Sequence, residues 1–388
     1  MAYQEIFQPL HTIIGEGAVE GMPDLIAKMH GKKGLVITDE GLAKIGTLDA
    51  ITAVLVKAGL PFETYAKVRP NPTCGIVREA FKVFESSGCD YIIGIGGGSS
   101  LDVSKAVSIM ATNGGDVKDY EGVDKSDKQG APLLAINTTA GTGSEVTRFY
   151  IITDEERKVK MAMVDANCLA YAAVDDPEIM AGMPPSLTAA TGMDALTHAI
   201  EAYTANGHYP FCDGLALESI KLIARFLERA VVNGRDMIAR ENMCWAQYMA
   251  GVAFSNAGLG MVHAMAHQLG GFYNMPHGQC NAMLLPYVME YNKSINKKRY
   301  ADVGKALGIP TDAMTIDQAA DATIKWIVDI SKRINIPELK DSKFDPKDVP
   351  TLSANAMHDA CMAANAIQPA VEDVEATFMA AYRAEKNK

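Results

Sequence analysis

From Asn242 to Met289 the chain runs for 48 residues without a single Asp, Glu, Lys or Arg. Charged residues make up 21% of the whole sequence, so about ten would be expected in a segment of that length. A stretch so depleted leaves water, either across a membrane or into a protein core. Gln247, Ser255, Asn256, His263, His267 and Gln268 interrupt it at intervals too short for a membrane span of roughly 18–20 apolar residues. The spacing therefore predicts a buried helical core that carries several histidines.

The chain has 388 residues, 36 of them basic and 47 acidic, for a net charge of −11. That length suggests two or three domains, and the acidity argues against nucleic acid as the main partner. Seven scattered cysteines show no Cys-x-x-Cys spacing, which favours reduced thiols in a cytoplasmic protein over a disulfide framework. The start, Met1 through Phe7, lacks the basic and apolar regions of a signal peptide.

Two halves differ in periodicity. Gly34–Thr38, Tyr91–Ile95, Pro132–Asn137 and Phe149–Thr153 read as strands, with helical stretches at Leu48–Gly59 and Ile76–Ser87. Strand–helix alternation with nearly continuous apolar strands predicts a parallel sheet covered on both faces. After Met183-Pro184-Pro185-Ser186 helical spacing dominates, most clearly at Leu215–Ala230, Asn242–Ala257, Ile316–Arg333 and Ala354–Ala366. The expected architecture is an α/β domain, residues 1–181, followed by an all-α domain, residues 182–388.

The strand Tyr91–Ile95 runs into Gly96-Gly97-Gly98-Ser99-Ser100-Leu101-Asp102 and then a helical pattern. Consecutive glycines allow close backbone approach, and the helix start offers N–H groups to a phosphate. A second turn, Thr138-Thr139-Ala140-Gly141-Thr142-Gly143-Ser144, follows the third strand. Open α/β sheets bind ligands at such carboxyl ends, so the pair predicts a dinucleotide diphosphate site. Asp39, at the end of the first strand, reads equally as a ribose ligand or as a helix N-cap.

Five of the eight histidines fall between His198 and His277. Asp194 and His198 are four residues apart, as are His263 and His267, so each pair shares one helix face. His277 follows in a turn, Met275-Pro276-His277-Gly278. One carboxylate with neutral imidazoles suits a divalent Fe, Zn or Mn ion. Spacing alone leaves open which three histidines bind it.

These motifs together resemble the iron-dependent (type III) alcohol dehydrogenases, nearly end to end. The markers are Pro70-Asn71-Pro72-Thr73, Gly96 through Asp102, Thr138 through Thr147, Thr191 through His198, and Gly260 through Gly278. Within that family it resembles the bacterial propanediol, lactaldehyde and methanol dehydrogenases. It implies a Rossmann-like N-terminal domain for NAD(H), a helical metal domain and an active site in the cleft, the dehydroquinate synthase-like plan. It implies Asp194, His198, His263 and His277 as metal ligands, with Fe2+ foremost and Zn2+ or Mn2+ as alternatives, and His267 as the catalytic non-ligand histidine. The cofactor set it implies is Asp39, Asn71, Gly96, Gly97, Gly98, Ser99, Asp102, Thr138, Thr139, Thr142 and Lys160. Phe149, Phe254, Leu259 and Cys361 correspond to substrate-pocket positions. Many relatives carry Asn-Pro-Arg late in the chain where this one has Ile367-Gln368-Pro369, which weakens any transfer of substrate preference.

The expected reaction is hydride transfer between a small primary alcohol and its aldehyde, by a homodimer or larger homo-oligomer with no nucleic-acid or membrane partner. Arg148 raises the alternative of a small anionic aldehyde, such as a sulfonate or a semialdehyde, against an ion pair within its own domain. A metal- and NAD-dependent lyase would need many basic residues for a polyanionic substrate, and the uncharged stretch argues against it. A nucleotide sensor with a structural metal is the remaining rival.

Overall fold

The computed structural model describes residues 3–157 and 159–384, in which the apolar runs of the first half pair as parallel strands. The chain divides into two units, Met1–Gly182 and Met183–Lys388. The first begins β1 (His11–Ile14), α1 (Met22–Met29), β2 (Gly34–Asp39), α2 (Glu40–Lys44), α3 (Thr47–Lys57) and β3 (Phe62–Val68). It continues with α4 (Cys74–Ser86), β4 (Tyr91–Gly96), α5 (Gly98–Asn113), β5 (Gly122–Val123) and β6 (Leu133–Asn137). β7 (Phe149–Asp154), β8 (Val159–Val164), β9 (Ala172–Asp175) and α6 (Pro177–Met180) complete it.

Six strands form one sheet in the order β1-β9-β6-β4-β2-β3, every pairing parallel. Successive strand residues point to opposite faces. Val36, Ile93, Ile95 and Ile136 pack on one side with Ile26 of α1 and Ile51 and Leu55 of α3. Leu35, Ile37, Ile92 and Ala135 pack on the other with Val77 of α4 and Val107 of α5. Burial on both faces is why these strands read as unbroken apolar runs.

One expectation fails here. Phe149–Asp154 is not part of the parallel sheet. It pairs antiparallel with β8 in a separate three-stranded sheet, its burial alternating residue by residue as a half-covered strand requires. β1, β3, β8 and β9 had no clear signal. β3 (Phe-Glu-Thr-Tyr-Ala-Lys-Val) is a partly exposed edge strand, and β1 and β9 have four residues each.

The second unit is helical: α7 (Pro185–Thr204), α8 (Pro210–Val232), α9 (Met237–Ala257) and α10 (Met261–Tyr273). Then come α11 (His277–Ala306), α12 (Ile316–Arg333), α13 (Val349–Met357) and α14 (Val371–Arg383). The uncharged stretch supplies most of α9, all of α10 and the start of α11, and most of its residues are buried. The helix expected over Ala354–Ala366 is broken: α13 ends at Met357, and a separate 3₁₀ turn spans Ala360–Ala364. Asp359 breaks it by accepting the Cys361 amide as the N-cap of that turn. All seven cysteines are buried and none is in a disulfide. Among the described residues, no helix is long and apolar enough to cross a membrane.

Candidate functional site

In the first unit the turn residues gather at the carboxyl end of the sheet. β2, β4 and β6 are neighbours, so Asp39, Gly96 and Asn137 end adjacent strands; Gly96 and Asn137 are in register. The chain reverses its direction across the sheet between β2 and β4, which is where such folds open a ligand crevice. α5 starts at Gly98 with no side chain capping its N-terminus, leaving its first amides for an anion. The two turns lie against each other. A Cβ on Gly97 would stand 2.9 Å from Thr139 Cγ2, and one on Gly98 would stand 3.0 Å from Thr142 Cγ2. The glycines are therefore required by close approach, independently of any ligand.

Asp39 turns out to fulfil the N-cap reading: one carboxylate oxygen accepts the Leu42 amide at 2.9 Å. The side chain is still only partly buried, so capping does not remove it from the crevice. Asn71 adopts a left-handed conformation, φ 53°, in a loop whose Pro72 carbonyl accepts the Thr153 amide of β7. Lys160 lies on β8 opposite Thr153. Thr138 donates its amide to the Gly96 carbonyl, and Thr139 donates amide and hydroxyl to Asn137 Oδ1.

Asp102 is engaged within the unit, accepting the Ser144 hydroxyl at 2.9 Å and the Ile151 amide at 3.0 Å. Burial raises its carboxyl above the usual range, partly offset by Lys105. Lys105 is itself fully buried and donates to Ser144 Oγ, Thr147 Oγ1 and the Phe149 carbonyl. The pair pins the second turn and β7 to α5. Ser99 follows in the first turn of that helix.

In the second unit four side chains converge. One ligand atom from each of Asp194, His198, His263 and His277 lies within 4.8 Å of the other three. α7 supplies the first two, α10 the third, and α11 the fourth. His277 is the first residue of α11, where a turn was expected; Pro276 at the N-cap ends the loop. Gly278 lets that helix start directly against the Ala190 carbonyl of α7, so His277 comes beside Asp194. Asn281 marks the point of convergence: its amide nitrogen is 2.6 Å from Asp194 Oδ1, 3.0 Å from His263 Nε2 and 3.2 Å from His277 Nε2.

Glu201, not singled out in the sequence, holds this set together. Its carboxylate contacts His263 Nδ1 and accepts the Val262 amide at 2.7 Å, capping α10 at the same time. With Nδ1 so engaged, Nε2 of His263 faces the convergence point. Burial pushes Glu201 up to about 8, against the pull of the backbone amides around it. His263 is held well below its ordinary value by burial and then by His267. Both Glu201 and Asn281 had a legible signal: Glu201 falls three residues after His198 on α7, and Asn281 four after His277 on α11.

His267 stands outside the set of four. Its Nδ1 is 2.8 Å from Asp359 Oδ2, and its ring stacks on His277 with centroids 5.3 Å apart. Of the expected pocket residues, Phe254 stacks on His198 at 4.3 Å, and Cys361 lies with Asp359 beside His267. Leu259 is buried and lines a small cavity with Ile200, Glu201 and Tyr300. Phe149 begins β7 in the other unit. Arg148 places its guanidinium 4.7 Å from the centre of the Phe7 ring.

Comparison with known proteins adds the family. The model for iron-containing alcohol dehydrogenase matches residues 9–177, and that for the C-terminal part of the Fe-containing alcohol dehydrogenase family matches residues 188–382. The chain is 44% identical over 383 residues to alcohol dehydrogenase 4 of Schizosaccharomyces pombe, covering 98% of this chain and 90% of that one. It is 41% identical over 371 residues to lactaldehyde reductase of Escherichia coli, covering 95% and 97%. The crystal structure of a 1,3-propanediol oxidoreductase superposes with a TM-score of 0.95 at 40% identity, covering 98% of this chain and all of that one. Matched along both units, the chain belongs to the iron-containing alcohol dehydrogenase family and is an oxidoreductase interconverting alcohols and aldehydes.

Proposed function

We propose that Asp194, His198, His263 and His277 hold one divalent cation, Fe2+ foremost, and that the first unit binds NAD(H) for a short primary alcohol or aldehyde. The convergence of four ligand atoms within 4.8 Å carries this reading. The donor set fits a cation: one carboxylate and three imidazoles meet at one point, the donor chemistry that divalent transition metals take. Fe2+, Zn2+ and Mn2+ all suit these donors.

When bound, the cation supplies a Lewis acid for the substrate oxygen and the nicotinamide exchanges the hydride. The chain's own groups do the rest. Phe254 covers one face of His198 and keeps water from it. The amides of Gly97, Gly98 and Ser99 take the diphosphate, supported by Gly96, Asn71, Thr138, Thr139, Thr142 and Lys160. Asp39 takes the ribose hydroxyls and repels a 2′-phosphate. Asp102 serves the cofactor through the second turn that it holds. His267 accepts the alcohol proton and passes it to solvent.

Relatives named for lactaldehyde, methanol and 1,3-propanediol support a small uncharged substrate. On the second unit, Phe254, Leu259 and Cys361 would line its pocket. The anionic alternative rested on Arg148, and the ring of Phe7 under that guanidinium gives it no support. Family likeness and unbridged thiols favour a cytoplasmic homodimer or larger assembly. The test is absorbance at the nicotinamide band with alcohols of two to four carbons, with and without a chelator. Turnover that the chelator abolishes is expected; none after loading with Fe, Zn or Mn would overturn the proposal.

A further inference from the structure

We propose that Asp359 is a positioning residue that fixes the tautomer and ring orientation of His267. The inference rests on the reading of His267 as the proton-handling histidine, and goes beyond it by naming what makes that histidine competent.

The Asp359 carboxylate is nearly dry, 2% exposed, and so is the ring it meets, at 5%. Its Oδ2 lies 2.8 Å from His267 Nδ1, and its Oδ1 accepts the Cys361 amide at 2.9 Å. Both oxygens are thus acceptors, so Nδ1 carries the hydrogen and Nε2 is left with its lone pair. A neutral imidazole with the other tautomer would present an N–H there and could accept nothing. The ring has little freedom to turn. It stacks on His277 at an interplanar angle of 17° and meets His263 edge-on at 72°.

The segment carrying Asp359 is fastened to α10 at both ends. At one end Asp359 holds His267. At the other, Asn365 Oδ1 accepts the Met261 amide at the start of α10 and pairs with Asn292. Gln368, in the region where many relatives have Asn-Pro-Arg, donates to the Ala363 and Asn365 carbonyls and closes the turn between. Asp359 is therefore held in place by the backbone, and the histidine by Asp359.

Asn is the discriminating replacement. It keeps the size, but only one of its two terminal atoms accepts a hydrogen bond. If that atom serves Cys361, the amide N–H faces Nδ1 and drives the ring to the wrong tautomer. If it serves His267, two N–H groups oppose each other at Cys361.

The experiment compares wild type, His267→Ala, Asp359→Asn, Asp359→Glu and the double variant His267→Ala/Asp359→Asn, all loaded with Fe2+. It reads kcat, KM and the solvent isotope effect for a short primary alcohol, metal per chain by elemental analysis, and melting temperature. His267→Ala and Asp359→Asn are each expected to lower kcat about 10–100-fold with metal content at one per chain. The double variant should be no slower than His267→Ala within about threefold, because the two residues act as one unit. Asp359→Glu, which retains two acceptors, should recover part of the loss. A wild-type kcat in Asp359→Asn, or single losses that multiply in the double variant, overturns the proposal. So does a second metal ion lost with Asp359→Asn, since His267, Asp359 and Cys361 would then be ligands. An unchanged rate in His267→Ala would instead overturn the role of His267 itself.

Discussion

The two units build their binding elements from opposite materials. In the first, the atoms offered to a ligand are backbone amides at the end of a sheet, and side chains serve to hold the turns: Thr139 and Thr142 fill the space beside Gly97 and Gly98, while Asp102 and Lys105 tie the second turn down. In the second, the proposed metal donors are side chains on three helices, and the backbone holds them through Glu201 and Asn365. An acidic chain can hold a diphosphate the first way without a basic patch. A cation needs the second way, because only side chains supply carboxylate and imidazole donors at one point.

The sharpest break between them comes from removing a metal donor. His263→Ala should lose the bound ion and lower kcat/KM by about a thousandfold, since the lost Lewis acid is worth several kcal/mol. NADH binding, followed by fluorescence, should stay within a few-fold of wild type.

Glu201→Gln tests the outer support of the same set. The amide retains an acceptor for Val262, but places an N–H against His263 Nδ1. Metal affinity should fall about 10–100-fold in a competition titration against a chelator. An unchanged affinity would reduce Glu201 to a helix cap.

Gly98→Ala is the counterpart in the first unit. The added methyl would meet Thr142 at 3.0 Å. Forcing the turns apart costs about 1–3 kcal/mol, so the Kd for NADH should rise about tenfold or more. Metal content should not change, and a loss of metal there would blur the division.

The smallest effect concerns how each unit answers charge. Asp154 of β7 is 1% exposed and ion-paired with Lys118 and Arg157. Burial alone would raise its carboxyl, but the hydrogen bonds from Arg157 and Lys118 outweigh it and hold it well below the usual range. A depressed carboxyl stabilises the fold at pH above its unfolded pKa, and that contribution is lost as pH falls through the folded value. Asp154→Asn should therefore lower the melting temperature by about 2–4 °C at neutral pH, with the gap closing in strong acid.

What was legible in the sequence followed the same division. The parallel strands showed because double burial makes them continuous apolar runs, as with Tyr91–Ile95. Phe149–Thr153 was legible as a strand but not as a member of a second sheet, since pairing partners leave no mark on local sequence. The i, i+4 pairs on α7 and α10 could be read directly because a helix fixes their common face. Glu201, three residues past His198, and Asn281, four past His277, share those histidines' helix faces in the same way. Asp359 carried no such signal: it meets His267 across 92 residues of chain.

The most direct test of this division is NADH titration of metal-stripped protein beside metal titration of the Gly98→Ala protein. Separate construction predicts that the stripped protein still binds NADH and that Gly98→Ala still takes up one divalent ion per chain at wild-type affinity. Loss of NADH binding on stripping, together with loss of metal in Gly98→Ala, would contradict it.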